Sequence, residues 1–224
     1  MAEFHILTKE GVNYVEVLMN NETVRTESGA MRYVLGRIEM QSKAPSVGGF
    51  LKAAFTGESV FRPTYTGTGK LVLEPTLMSF YQLDLMNDKL VLDRGAYWSS
   101  DGNIEVSAIA NKVGAAVLSG EGMFQTTVAG TGKVLICIPG PVEIIDLNND
   151  RLVVDGTFAV ARSASLNFKV EKSTKSLFGT MTSGEGLVNV FEGTGRVWLC
   201  PVPNLYVMLQ SMIVSCIPTQ TSSG

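Results

Sequence analysis

One frame of glycines recurs three times at a fixed spacing. The clearest copy runs from Gly120-Glu121-Gly122 to Gly130-Thr131-Gly132-Lys133. The same frame joins Gly57-Glu58-Ser59 to Gly67-Thr68-Gly69-Lys70, and Gly184-Glu185-Gly186 to Gly193-Thr194-Gly195-Arg196. The closing glycines Gly67, Gly130 and Gly193 stand 63 and 63 residues apart. A constant period means that one structural unit is used three times, so the chain must be read as repeats before any residue is given a chemical role.

Each repeat carries the same punctuation. Strand-forming runs such as Tyr14–Met19, Phe80–Met86 and Val142–Leu147 lead to Asn20-Asn21, Asn87-Asp88 and Asn148-Asn149. Asn and Asp tolerate positive φ, so these pairs predict hairpin turns with a returning strand after each. Those strands end in Glu27, Asp93 and Asp155, followed within two residues by Gly29, Gly95 and Gly156, a combination that predicts a bend. Gly-Thr-Gly lies between two strand-like runs and reads as a second hairpin turn. A dinucleotide loop would need a helix after the glycines.

Prolines mark the repeat ends and give limits of 12–76, 77–140 and 141–203 within a single unit 1–217. Residues 204–217 are expected to add one or two strands, and 218–224 to be a disordered tail. The expected fold is all-β, with three β-rich modules about a pseudo-threefold axis and few short helices.

The three frames in register, with Asn-containing turns between them, resemble the altered-inheritance-of-mitochondria family over about residues 12–203. The resemblance implies modules similar to a short double-stranded β-helix, the fold of the trp RNA-binding attenuation protein. It also implies a preference for a trimer.

The chemistry of the chain narrows its function. His5 is the one histidine, which argues against a histidine-ligated metal and against Ser-His-Asp or Cys-His catalysis. Neither a cofactor nor enzymatic activity is expected. The repeated polar candidates are Glu58, Glu121 and Glu185. Near a pseudo-threefold axis they would hold a hard cation; within separate modules each would close its own backbone. The second reading is the stronger, because repeats retain what every module needs. Lys70, Lys133 and Arg196 repeat as well, each directly after the Gly-Thr-Gly. Cys137 and Cys200 hold matching places, where the first repeat has Glu74.

Only 17% of the residues are charged and the net charge is −3, so nucleic acid is not the expected partner. Hydrophobic residues reach 45%, a surplus that predicts an oligomer interface. Phe50, Leu51 and Phe55 and the run Leu205–Ile213 are the expected contact surfaces. No stretch reaches the roughly 20 apolar residues of a membrane span. Met1–His5 lacks the layout of a secretory signal, and three cysteines without paired spacing suit a reducing, cytoplasmic setting. The expected role is a non-catalytic structural or interaction protein, with the alternative of a small-molecule or polymer binder that uses pockets between modules.

Overall fold

The computed structural model describes residues 1–41, 62–110, 124–155, 158–172 and 187–216. Among these residues the protein is antiparallel β-sheet with one short helix. Three long strand pairs dominate: β2 (Val12–Thr26) on β4 (Thr64–Leu73), β5 (Ser79–Leu92) on β8 (Phe124–Ile138), and β9 (Glu143–Asp155) on β12 (Leu187–Leu199).

Both strands of each pair run straight through the residues that predict hairpin turns, and this corrects the two-hairpin expectation. Asn21, Asn87 and Asn149 do take positive φ, at 57°, 60° and 52°. Each sits in a bulge inside one long strand, facing the Gly-Thr-Gly of its partner. The Asn main-chain N–H donates to the hydroxyl of Thr68, Thr131 or Thr194 at 2.9, 2.9 and 3.0 Å. Pairing continues on both sides of the register shift, so neither strand turns back.

The Glu27 and Asp93 bends are four-residue turns. Ala30 N donates to Glu27 O and Ala96 N to Asp93 O, each at 3.2 Å, with Gly29 and Gly95 at φ 77° and 75°. The Glu27 carboxylate leaves the turn and takes Arg62 Nε at 3.1 Å. Matching bonds also place Glu74, Cys137 and Cys200 alike, each N–H donating to the carbonyl of Ala30, Ala96 or Phe158.

A further strand lines the other side of each pair. In the first it is unbroken, β3 (Met31–Gln41) along β4. In the second it is split into β6 (Tyr97–Asp101) and β7 (Glu105–Ala110), and in the third into β10 (Ala159–Ser163) and β11 (Asn167–Lys172). The split frees the first half to join its neighbour. Ser99–Asp101 of β6 pair with Val24–Thr26 of β2, and Ala161–Ser163 of β10 with Leu90–Leu92 of β5. The sheet follows one open path, β11-β12-β10-β5-β8-β6-β2-β4-β3, with β1 (Glu3–Lys9) added to the outer edge of β2.

The inward residues of these pairs form the core. Val15, Val17, Leu71, Phe80 and Leu135 join the first two pairs, and Leu83, Leu92, Ile136, Val160 and Trp198 join the second to the third. Each fully buried side chain of this size contributes about 1.5–3 kcal/mol. A single hydrogen bond adds about 1 kcal/mol. The core therefore supplies the stability, and the Asn–Thr bonds supply register.

Leu205–Cys216, expected as strand, is the helix α1. Asn204 caps it, its Oδ1 accepting from Val207 N at 3.0 Å. An apolar run of this length fits helix or buried strand equally by pattern, and the cap with its Leu, Met and Gln content selects helix. The connectors carrying Phe50, Leu51 and Phe55, and the segment 218–224, lie outside the described residues.

Two substitutions separate register from packing. Thr131→Val should cost about 1 kcal/mol by losing one bond. Gly69→Ala should cost more, about 2 kcal/mol or above, because a Cβ at φ 150° would overlap the carbonyl oxygen of Leu35. Midpoints of urea unfolding compare the two, and equal losses would contradict this ranking.

Candidate functional site

Where one long pair meets the next, the split strand leaves a groove between the edge of the earlier pair and the face of the later one. Two such grooves occur among the described residues, and the same bonds build both.

In the first, Asn20 N donates to Glu22 Oε2 at 3.1 Å, and Lys133 N donates to Asp101 Oδ2 at 2.8 Å. In the second, Met86 N donates to Asp88 Oδ2 at 3.0 Å, and Arg196 N donates to Ser163 Oγ at 2.9 Å. Glu22 thus corresponds to Asp88, Asp101 to Ser163, and Lys133 to Arg196.

The first groove is filled by the chain's own leading residues. Ala2 is fully buried; its N–H donates to Asp101 Oδ1 at 3.1 Å, and its carbonyl accepts from Lys133 Nζ at 3.1 Å. The Met1 nitrogen lies 2.6 Å from Glu22 Oε1. Burial alone would raise the Glu22 carboxyl, but these contacts outweigh it and hold its pKa below the usual value. From Ala2 the chain continues as β1, seven residues in register with the edge of β2.

The second groove is open, with a volume of about 490 Å³. One wall is the edge of β5, with Tyr81, Gln82, Asp84 and Asp88; the other is Ile144, Asp146, Arg196 and Trp198. Arg196 Nε donates to Asp146 Oδ1 at 2.8 Å, and its guanidinium lies 5.7 Å from the Trp198 ring centre. Asp84 accepts from Gln82 Nε2 at 2.9 Å. Neither Asp84, which stands cross-strand from Lys133, nor Asp88 forms an ion pair within 4 Å among the described residues. The groove is therefore acidic along the β5 edge, with a neutralised Arg–Asp pair opposite.

Glu58, Glu121 and Glu185 lie outside the described residues. Of the repeated cations, Lys133 and Arg196 stand in the two grooves and Lys70 pairs with Glu16 at 3.0 Å. His5 stands on β1, half-exposed, 3.5 Å from Glu3 Oε2. Among the described residues no group of three His, Cys, Asp or Glu side chains is placed to hold a metal. Sequence reasoning passed over Asp84, Asp88, Asp146 and Ser163. The recurring cation after each Gly-Thr-Gly was the signal that leads to them, since its position in the second pair and in the third is a groove wall.

Cys137 and Cys200 are buried, and Cys216 is exposed on α1. Burial pushes the Cys137 thiol up to about 11 and raises Cys200 as well, which suppresses the reactive thiolate at neutral pH. A thiol reagent at pH 7.5 should modify Cys137 and Cys200 only on unfolding. Rapid modification of these two in the native protein would contradict the buried placement. Asp101→Ala removes the acceptor of two main-chain N–H groups, at a cost of about 1–3 kcal/mol. Amide exchange should accelerate in residues 2–9 and stay unchanged in β9 and β12; unchanged exchange in β1 would show that Asp101 does not hold the leading segment.

The grooves sit in a chain with known relatives. An uncharacterized protein of Streptococcus pyogenes serotype M6 is 26% identical over 194 residues, covering 81% of this chain and 78% of that protein. A crystal structure of a Streptococcus pyogenes protein matches with a TM-score of 0.72 at 24% identity, covering 96% of this chain and all of that one, and shares the fold. The model of the family described as mitochondrial biogenesis AIM24 matches residues 4–202, and the chain belongs to that family.

Proposed function

We propose that this protein is a non-catalytic, homo-oligomeric interaction scaffold. The observation that carries the reading is α1. Leu205, Tyr206, Met208, Leu209, Met212, Ile213 and Val214 are each at least 42% exposed, and no residue of the helix is buried. A helix that is apolar on every side belongs inside a structure. Its foot is anchored: Asn204 N donates to Pro139 O at 2.8 Å, and Asn204 Nδ2 to Leu77 O at 2.9 Å. Beyond that foot its apolar surface faces outward.

A bilayer is the weaker partner for this surface. Twelve residues rise about 18 Å, short of the roughly 30 Å of hydrocarbon. The helix also lacks the basic face that holds interfacial helices on lipid headgroups. Copies of the same helix supply a matching apolar surface, and self-association through it buries the apolar faces of the helices.

The assembly in this reading is a homotrimer, as the family resemblance implies. Its subunits are single compact units of three repeats (12–76, 77–140, 141–203) about a pseudo-threefold axis, each similar to the short double-stranded β-helix of the trp RNA-binding attenuation protein. The recurring Asn–Thr bonds and the two like junctions between strand pairs support the repeats. The free, buried thiols support a reducing, cytoplasmic setting. The placement of His5 on an outer strand, outside the lining of the open groove, supports a role without catalysis.

Light scattering tests the assembly. The full chain should have three times the 24.1 kDa monomer mass at micromolar concentration. Leu209→Glu with Ile213→Glu should release monomers with an unchanged β-sheet spectrum. A wild-type protein that stays monomeric, or a double variant that keeps its mass, would refute the helix as the interface.

A further inference from the structure

We propose that the open groove between β5 and the β9–β12 pair binds an extended, basic segment of a partner polypeptide, which adds to the edge of β5 as a strand. The model for this ligand is already in the molecule: the corresponding groove one pair earlier holds an extended segment, β1 with Ala2 at its head.

The two grooves correspond bond for bond. Asp88 and Ser163 accept main-chain N–H groups as Glu22 and Asp101 do. In the first groove, Lys133 donates to the carbonyl of Ala2. In the second, Arg196 stands at that position, with Nε engaged by Asp146 and the rest of its guanidinium available to a main-chain carbonyl. The edge of β5 supplies the remainder. Among the described strands β5 pairs only with β8 along its length and with β10 at Leu90–Leu92, so its outer edge from Phe80 to Leu85 has no strand partner. On β2 the matching edge carries β1. An unpaired edge beside a groove is the geometry of strand addition, in which main-chain bonds supply affinity and the groove selects side chains.

The register states which side chain is selected. Leu18 lies opposite Lys70 and Asp84 opposite Lys133, so Asp84 holds in β5 the place of Leu18 in β2. Glu3 of β1 lies opposite Leu18. The ligand residue in the place of Glu3 therefore faces Asp84, where a carboxylate is repelled and a Lys or Arg is attracted. Asp88, which also forms no ion pair within 4 Å among the described residues, deepens the same preference. The leading segment of this chain, with its glutamate, suits the first groove and is mismatched to the second. This discrimination keeps the two sites distinct.

Two labelled peptides test the site on the full-length protein at low salt: one copying residues 1–9, and the same peptide with Glu3→Lys. The lysine peptide should bind about two- to five-fold more tightly by fluorescence anisotropy. It should slow amide exchange in residues 80–85. Asp84→Asn should abolish the difference between the peptides, and Asp84→Lys should invert it; Asp84 is exposed, so neither change disturbs the core. Equal binding of both peptides, no binding of either, or protection at residues 12–18 in place of 80–85 would overturn the proposal. Binding is read per chain, so this outcome is independent of whether the protein is a trimer.

Discussion

The bond between the Asn main-chain N–H and the Thr hydroxyl, made three times, governs how this chain is laid out. A bulge leaves its extra residue unpaired and disrupts the ladder locally. Here a residue at positive φ faces a Gly-Thr-Gly that yields at the same point, and the threonine hydroxyl satisfies the displaced N–H. Pairing resumes on the far side, and a strand of 15 residues such as Val12–Thr26 stays in register through its bulge. The glycines serve the same end. A side chain at Gly67 or Gly69 would overlap the carbonyl oxygens of β3, which runs directly alongside. The energy of each such bond is small beside that of the apolar core, but the bond decides which residues the core contains, because a slip of one residue would turn every later side chain to the other face.

Length has a consequence for architecture. A strand that continues past its bulge reaches beyond its own partner and offers an edge to the next unit. The split strands use that edge: Ser99–Asp101 and Ala161–Ser163 each pair with two neighbours at once. Hydrogen bonding at these junctions is reinforced by shared core, with Leu135 packed among the first pair and Trp198 among the second. Every junction made this way also leaves a groove, because the early half of the strand stays uncovered unless something pairs with it. The first groove meets that need internally through β1. The second presents acidic groups and an edge without a strand partner among the described residues. Ser163 in place of Asp101, with a carboxylate at Asp84 in place of Leu18, changes its electrostatics while leaving its backbone geometry alike.

The apolar surplus of the composition divides between two destinations. Most of it is spent in the sheet core. The remainder stays on the surface, on α1, whose side chains are as apolar as the core and yet face outward, and on strands such as β3, with Tyr33, Val34, Leu35 and Met40 exposed. A helix held at its foot by Asn204 and close to Gly11 through the Tyr206 hydroxyl is positioned but uncovered.

Sequence by itself determined the β class, the positive φ of the three asparagines and the correspondence of Glu74, Cys137 and Cys200. Each of these follows from local conformational preference or from spacing, and both are written in the chain. Asn-Asp and Gly-Thr-Gly carry turn chemistry and so predict hairpins, but a local signal cannot reveal that two such sites face each other within paired strands. The same limit applies to Leu205–Cys216, where pattern fits strand or helix and the Asn204 cap decides. Only the tertiary structure decided the groove, because Asp84, Asp88, Asp146 and Ser163 come from three strands and meet only when β10 crosses to β5. It also decided that one junction is filled and the next open. That depends on which strand edge the leading residues reach, a long-range pairing that no local preference encodes.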